Sequence, residues 1–202
     1  IWFKNCKNCG IMYLKEKGKY KDTYGYDFKM SYPTDMSDIS FMMPTKRGKE
    51  KYITELPVAK YISFGIYRVS ITCDDENFNK IFMINDKDYY TSYSLKFALK
   101  MQKKLNIKIK LIIDSKPNAY IYERKDLDYV IADIKMIGDR TRYSLINSKK
   151  AVYDLPFRLL PFITSFSRVK MGEVINKFNV YDDVLRIQTD SITFLKEFNE
   201  VV

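Results

Sequence analysis

Histidine is absent from all 202 residues. That gap excludes Ser-His-Asp and Cys-His nucleophile systems, imidazole acid–base chemistry and His-ligated zinc. Cysteine is scarce, with only Cys6, Cys9 and Cys73. An odd, uneven set in a chain long enough to fold without disulfides points to a reducing, intracellular setting, cytoplasmic by default. Glycine and proline number 7 and 6, too few for a collagen-like rod, a linker or a disordered tail. No apolar run approaches the roughly 20 residues that cross a bilayer. The opening Ile1-Trp2-Phe3-Lys4-Asn5-Cys6 lacks the charged-then-apolar order of a signal peptide, so no membrane partner is expected. Because the chain also lacks an initiator Met, it is expected to be a piece or a processed product of something longer.

What is present is a core and an excess of positive charge. Hydrophobic residues make up 46% and aromatic residues 15% of the chain, enough to fill one large domain or two small ones. Against 25 Asp and Glu stand 35 Lys and Arg, a net charge of +10, which favours polyanionic partners through counterion release. The lysines cluster at Lys46 to Lys51, Lys96 to Lys104 and Ser148-Lys149-Lys150, although each stretch alone also fits a solvated face. Cys6-Lys7-Asn8-Cys9-Gly10 has the shape of half a zinc ribbon. Its second half is missing, so zinc at Cys6 and Cys9 lacks further ligands, and a bare turn is expected at the Cys-x2-Cys within an N-terminal segment of residues 1–21.

Periodicity places the remaining elements. Tyr24, Tyr26, Phe28 and Met30 alternate with Gly25, Asp27 and Lys29, which predicts a strand over Thr23–Met30 with an aromatic face and Asp27 on the other side. Ser31-Tyr32-Pro33-Thr34-Asp35 then suits a turn into a helix N-terminus. Strands are predicted over Tyr61–Thr72, Lys80–Tyr90 and Ile107–Ile113, and helices over Ser92–Leu105, Asp126–Met136 and Leu155–Phe178, the last interrupted or kinked at Pro161. Val184-Leu185-Arg186-Ile187 and Ile192-Thr193-Phe194-Leu195 flank Gln188-Thr189-Asp190-Ser191, the pattern of a hairpin with an aspartate at its tip. Hairpins mixed with helices indicate an α+β fold built on a mostly antiparallel sheet.

Asp27 at a strand end and Asp190 at a hairpin tip would meet if their strands were neighbours. Two carboxylates completed by phosphate oxygens and water suffice for hard Mg2+ ions, a chemistry that needs no histidine. Taken singly, each is also an ordinary turn aspartate. Their flanks go further. Asp27-Phe28-Lys29-Met30-Ser31-Tyr32-Pro33 resembles the first polymerase motif of family B DNA polymerases, D-x-x-S-L-Y-P, with Asp27, Tyr32 and Pro33 matching. Gln188-Thr189-Asp190-Ser191 resembles that family's D-T-D-S, with Thr189, Asp190 and Ser191 matching. Between them, Leu155 to Lys170 is similar to the helix preceding the third motif in the protein-primed and viral or mobile-element branch, with Thr164 and Arg168 in its T-x3-R spacing.

The resemblance spans residues 22–196 and implies a polymerase palm, an antiparallel sheet with flanking helices and a shortened fingers insertion at about 91–154, within a domain of residues 22–202. It implies Mg2+ as cofactor, two ions held by Asp27, Asp190 and the Phe28 carbonyl. Tyr32 would lie under the incoming sugar and exclude a 2′ hydroxyl. Met30 and Ser31 would offer backbone N–H groups to the triphosphate, and Arg140, Arg142 and Lys149 basic side chains. Thr189, Ser191, Arg168 and Lys170 would contact DNA. The implied partners are a DNA template and primer, deoxynucleoside triphosphates and, for the protein-primed branch, a terminal protein primer.

Three departures bear on activity. Met30 stands at the first motif's Ser, and Gln188 replaces the first Asp of D-T-D. Of the second motif, K-x3-N-S-x-Y-G, only Asn147-Ser148 remains, with Tyr143 at the Lys position and Lys150 at the Tyr position. The sequence therefore supports a DNA-directed DNA polymerase, with the alternative of a palm-fold accessory protein that binds nucleic acid and has lost turnover. A metal-dependent nuclease ranks third, because such sites carry more clustered acids than Asp27 and Asp190 supply.

Overall fold

A computed structural model describes residues 1–6, 10–29, 31–38, 40–44, 46–129 and 155–197. Within them lies an α+β fold in which every strand pairing is antiparallel. Two short strands and the two arms of a hairpin form the sheet that carries both aspartates. β1 (Met12–Leu14), β10 (Val184–Gln188), β11 (Ser191–Phe194) and β2 (Tyr24–Asp27) lie side by side in that order. The hairpin predicted around Asp190 is present, with Gln188 opposite Ser191 across a two-residue turn. β2 ends at Asp27, short of the predicted Met30, and helix α2 (Ser31–Ser37) follows, as the Ser-Tyr-Pro pattern indicates.

The second half of the fold is built on β5 (Gly65–Cys73), which pairs with β6 (Tyr89–Thr91), β7 (Ile107–Leu111) and β8 (Ala119–Ile121). β4 (Lys49–Lys51) extends this sheet beyond β8, and β3 (Met42–Pro44) pairs separately with β9 (Leu127–Tyr129). Helix α4 (Ser92–Met101) starts where Thr91 Oγ1 accepts the Ser94 N–H, an N-cap that fixes the predicted boundary. Helix α5 (Leu155–Phe178) is continuous through Pro161. Of the expected interruption or kink there, the interruption does not occur, and the Thr164 hydroxyl donates to the carbonyls of Leu160 and Pro161 at 2.8 and 3.3 Å, one turn beyond the proline.

Two apolar clusters make the core, and α5 contributes to both. Met171 and Ile175 join Ile187, Ile192 and Phe194 from the inner face of the four-stranded sheet, together with Phe78, Ile81, Leu95 and Ala98. Leu159, Phe162, Ile163 and Phe166 meet Phe41, Phe64, Tyr122 and, from helix α1 (Trp2–Cys6), Trp2. Each Leu, Ile, Met or Phe side chain so removed from water stabilises the fold by about 1.5–3 kcal/mol before entropy is counted. The inner face of the sheet is therefore fully committed, and its outer face is left open.

Two predicted elements are corrected. The strand expected over Lys80–Tyr90 is instead helix α3 (Glu76–Ile81), a loop and then β6. Asp75 Oδ1 accepts the Phe78 N–H at 2.9 Å and so nucleates a helix where apolar content alone suggests a strand. The helix expected from Asp126 begins as the strand β9, and its remainder from 130 onward lies outside the described residues. Among the described residues, no helix is long and apolar enough to cross a membrane.

Candidate functional site

Strand register brings the two predicted aspartates together. Asp27 pairs with Ser191 across β2 and β11, and the next pair is closed by the Phe28 N–H donating to the Asp190 carbonyl at 3.0 Å. Asp27 and Asp190 are thus diagonal neighbours, with Cα atoms roughly 6 Å apart for strands about 5 Å apart rising about 3.4 Å per residue. Asp27 is exposed and Asp190 half-exposed. Among the described residues neither carboxylate is paired with a cation. In a chain of net charge +10, two adjacent acids left without a counter-ion are a local concentration of negative charge on the end of one sheet.

Period-two alternation lays out the open face around them. One row crosses the sheet as Met12, Gln188, Ser191 and Asp27, and the next as Leu14, Arg186, Thr193 and Gly25. The guanidinium of Arg186, the cation on this pair of rows, donates to Gln188 Oε1. A hollow of about 520 Å³ borders the second row, lined by Leu14, Lys17, Tyr20, Thr23, Arg186 and Thr193 among others. Met12 and Leu14 stay exposed.

The turn that carries Asp190 is strained and held. Thr189 has φ of 59°, a left-handed conformation that costs a β-branched residue about 1–2 kcal/mol and is usually given to glycine in two-residue hairpin turns. Its N–H donates to the Ile11 carbonyl at 2.9 Å, and Ser191 Oγ donates to the Gln188 carbonyl at 3.1 Å. Gly10 packs directly on it: a Cβ at Gly10 would come within 2.8 Å of the Thr189 Cα. In the sequence Gly10 closes the cysteine turn, and no strand is predicted at β1. Ile11-Met12-Tyr13-Leu14 is apolar throughout, so its sequence carries no alternation, although in the fold Ile11 is buried, Tyr13 half-buried and Met12 and Leu14 exposed.

The remaining predicted residues divide by position. Ser31 is buried, its hydroxyl 3.2 Å from that of Ser167 on α5. Tyr32 is half-buried against the second apolar cluster. Phe28, at the strand end, is partly exposed. Thr164 and Arg168 are buried on α5, and the Cys6 thiol, pushed up to about 12 by burial, is opposed by the Arg168 charge. Lys170 reaches α2, 2.6 Å from Asp38 and 3.3 Å from Asp35. Burial pushes the Asp38 carboxyl up, but hydrogen bonds from Lys170 and Ser40 outweigh it and bring the group to about 2. Asp35 is raised by burial against the opposing pull of Ser167 and Lys170. Met30, Arg140, Arg142, Lys149 and Cys9 lie outside the described residues.

The donor set has the chemistry of a hard-cation site and is minimal. Two carboxylates and a main-chain carbonyl at a strand end are all oxygen, as Mg2+ requires. No group of three or more His, Cys, Asp or Glu suited to a metal occurs among the described residues, so phosphate oxygens and water must complete any coordination shell.

The fold of this chain is shared with known structures. Two solved structures share it over 98% of this chain: phi29 DNA polymerase complexed with single-stranded DNA, at 13% identity and a TM-score of 0.56, and phi29 DNA polymerase complexed with primer-template DNA, at 14% and 0.54. The chain spans 43% of the length of that polymerase. No protein-family model and no curated protein matches it.

Proposed function

We propose that this chain carries the catalytic carboxylate pair of a family B type DNA polymerase and transfers nucleotides to a primer 3′ hydroxyl on a DNA template. The observation that carries the reading is the β2–β11 register, which makes Asp27 and Asp190 neighbours at the open end of a sheet in a polymerase-like fold. Asp27, Asp190 and the Phe28 carbonyl would hold two Mg2+ ions. Bound there, Mg2+ lowers the pKa of the attacking hydroxyl and neutralises charge on the triphosphate.

The protein's own groups do the rest by position. Tyr32, in the first turn after the metal-binding strand end, occupies the space a ribose 2′ hydroxyl would need. Backbone N–H groups of Met30 and Ser31, with Arg140, Arg142 and Lys149, are assigned to the triphosphate on sequence grounds. The open sheet face, with Ser191, Thr189 and Arg186, takes the end of the primer strand, where it leaves room for a duplex that the buried inner face does not. Arg168 and Lys170 are taken up by contacts inside the chain and are not needed as DNA ligands in this scheme.

A specific observation favours a second reading. Gln188 stands where the motif has an acid, and Arg186 already holds its oxygen. A palm-fold module that binds DNA without turnover would tolerate that change. Primer extension with labelled deoxynucleotides and Mg2+, carried out on the intact protein, separates the two. Incorporation should fall on the order of 10³-fold in Asp190→Ala and in Asp27→Ala, in line with losing a metal that supplies several kcal/mol. DNA binding without any incorporation by the unsubstituted protein selects the second reading.

A further inference from the structure

Helix α2 follows the metal-binding strand end after only three intervening residues, and it carries Tyr32 in its first turn. It is tied to α5 by polar links of uneven kind. Ser31 and Ser167 share one hydrogen bond at 3.2 Å. Ser167 also bonds the Asp35 carboxyl, and the ionic links meet at one atom, Lys170 Nζ, which lies 3.3 Å from Asp35 Oδ1 and 2.6 Å from Asp38 Oδ2. Asp35 is 5% exposed and its Oδ2 has no hydrogen-bond partner, and among the described residues Lys170 is the cation in ion-pair distance of this buried acid. Lys170 is itself held in place: its ammonium lies 4.9 Å from the Phe166 ring centroid, and Phe166 packs edge-on against Phe41 at 5.3 Å.

We propose that Lys170 is a positioning residue that locks α2, and with it Tyr32, onto α5. A buried carboxylate whose counter-charge is removed destabilises its surroundings strongly. Without Lys170, α2 relieves that cost by lifting Asp35 toward water, and Tyr32, one helical turn before Asp35, moves with it. The sheet that carries Asp190 has no part in the link, since β10 and β11 are fixed by their own ladder and by Ile11. The effect is therefore local to the Tyr32 side of the site. As a consequence for sugar selection this rests on the polymerase reading above; as a lock on α2 it does not.

Two readouts on the intact protein keep the two claims apart. Lys170→Met retains the aliphatic stem and removes the charge, Lys170→Arg retains the charge, and Asp38→Asn weakens the shorter ion pair from the other side. By amide hydrogen exchange, residues 31–38 should exchange at least about tenfold faster in Lys170→Met and nearly normally in Lys170→Arg, with β10 and β11 unchanged. In primer extension, Lys170→Met should raise KM for deoxynucleotides and lower the preference for deoxy- over ribonucleotides about tenfold, with kcat changed less, and Lys170→Arg should restore the preference. Unchanged exchange in α2, or faster exchange spread evenly over the whole chain, overturns the lock. Loosened α2 with unchanged sugar preference overturns the positioning of Tyr32. If the unsubstituted protein incorporates nothing, the polymerase reading fails while the exchange result still decides the lock; should Lys170→Met not fold, Asp38→Asn supplies the same exchange readout.

Discussion

At the scale of single residues, the site depends on one turn whose strain is visible. Thr189 occupies a left-handed conformation in which its branched side chain is unfavourable, and Gly10, the Ile11 carbonyl and the Ser191 hydroxyl surround it. Strain of this kind persists where the surroundings over-determine it, and it often marks a functional position. Asn tolerates the same φ with a side chain of similar size. Thr189→Asn should therefore stabilise the chain by about 1 kcal/mol, seen as a Tm higher by roughly 2–4 °C in calorimetry. Asp27 and Asp190 stand out in the sequence as candidates because their neighbours resemble a motif. Neither the strain at Thr189 nor the burial of Cys6 was, since both arise from strands that approach each other only in the folded chain. The buried positions of Thr164 and Arg168 were likewise invisible, because a T-x3-R spacing records helical periodicity without saying which face is covered.

Elements were legible where local chemistry and burial agree. The β10–β11 hairpin combines apolar arms with a polar two-residue tip, and α4 has both a Thr cap and apolar residues at helical spacing, so both were found near their true limits. Misreading occurred where the two signals conflict. Ile81, Phe82, Met83 and Ile84 read as a short buried strand, yet Asp75 caps the preceding turn and turns Glu76–Ile81 into helix. Asp75→Ala should cost about 1 kcal/mol, the usual value of such a cap, measurable as a lower denaturation midpoint with unchanged slope. β1 was missed for a different reason. Three residues beside a cysteine turn carry too little pattern, and β1 exists because β10 offers it an edge. α5 survives Pro161 because its neighbours bury both halves of the helix in apolar clusters, a tertiary effect that propensity does not contain.

For the molecule as a whole, the sequence specified the class of fold and the charge but not the arrangement of either. An antiparallel α+β fold followed from mixed hairpins and helices, whereas the pairing of β2 with β11, which joins residues near opposite ends of the chain, required the folded structure. The net charge of +10 is spread over surface lysines, and the two catalytic candidates sit apart from it, on a sheet end without cation partners among the described residues. That contrast is what the proposed cation site rests on. Titration of the protein with Mn2+, an oxygen-seeking stand-in for Mg2+, followed by electron paramagnetic resonance, tests this directly. The account predicts Mn2+ binding to the unsubstituted chain that weakens at least about tenfold in Asp27→Asn and in Asp190→Asn. Equal Mn2+ affinity in the unsubstituted chain and in the double variant would contradict it.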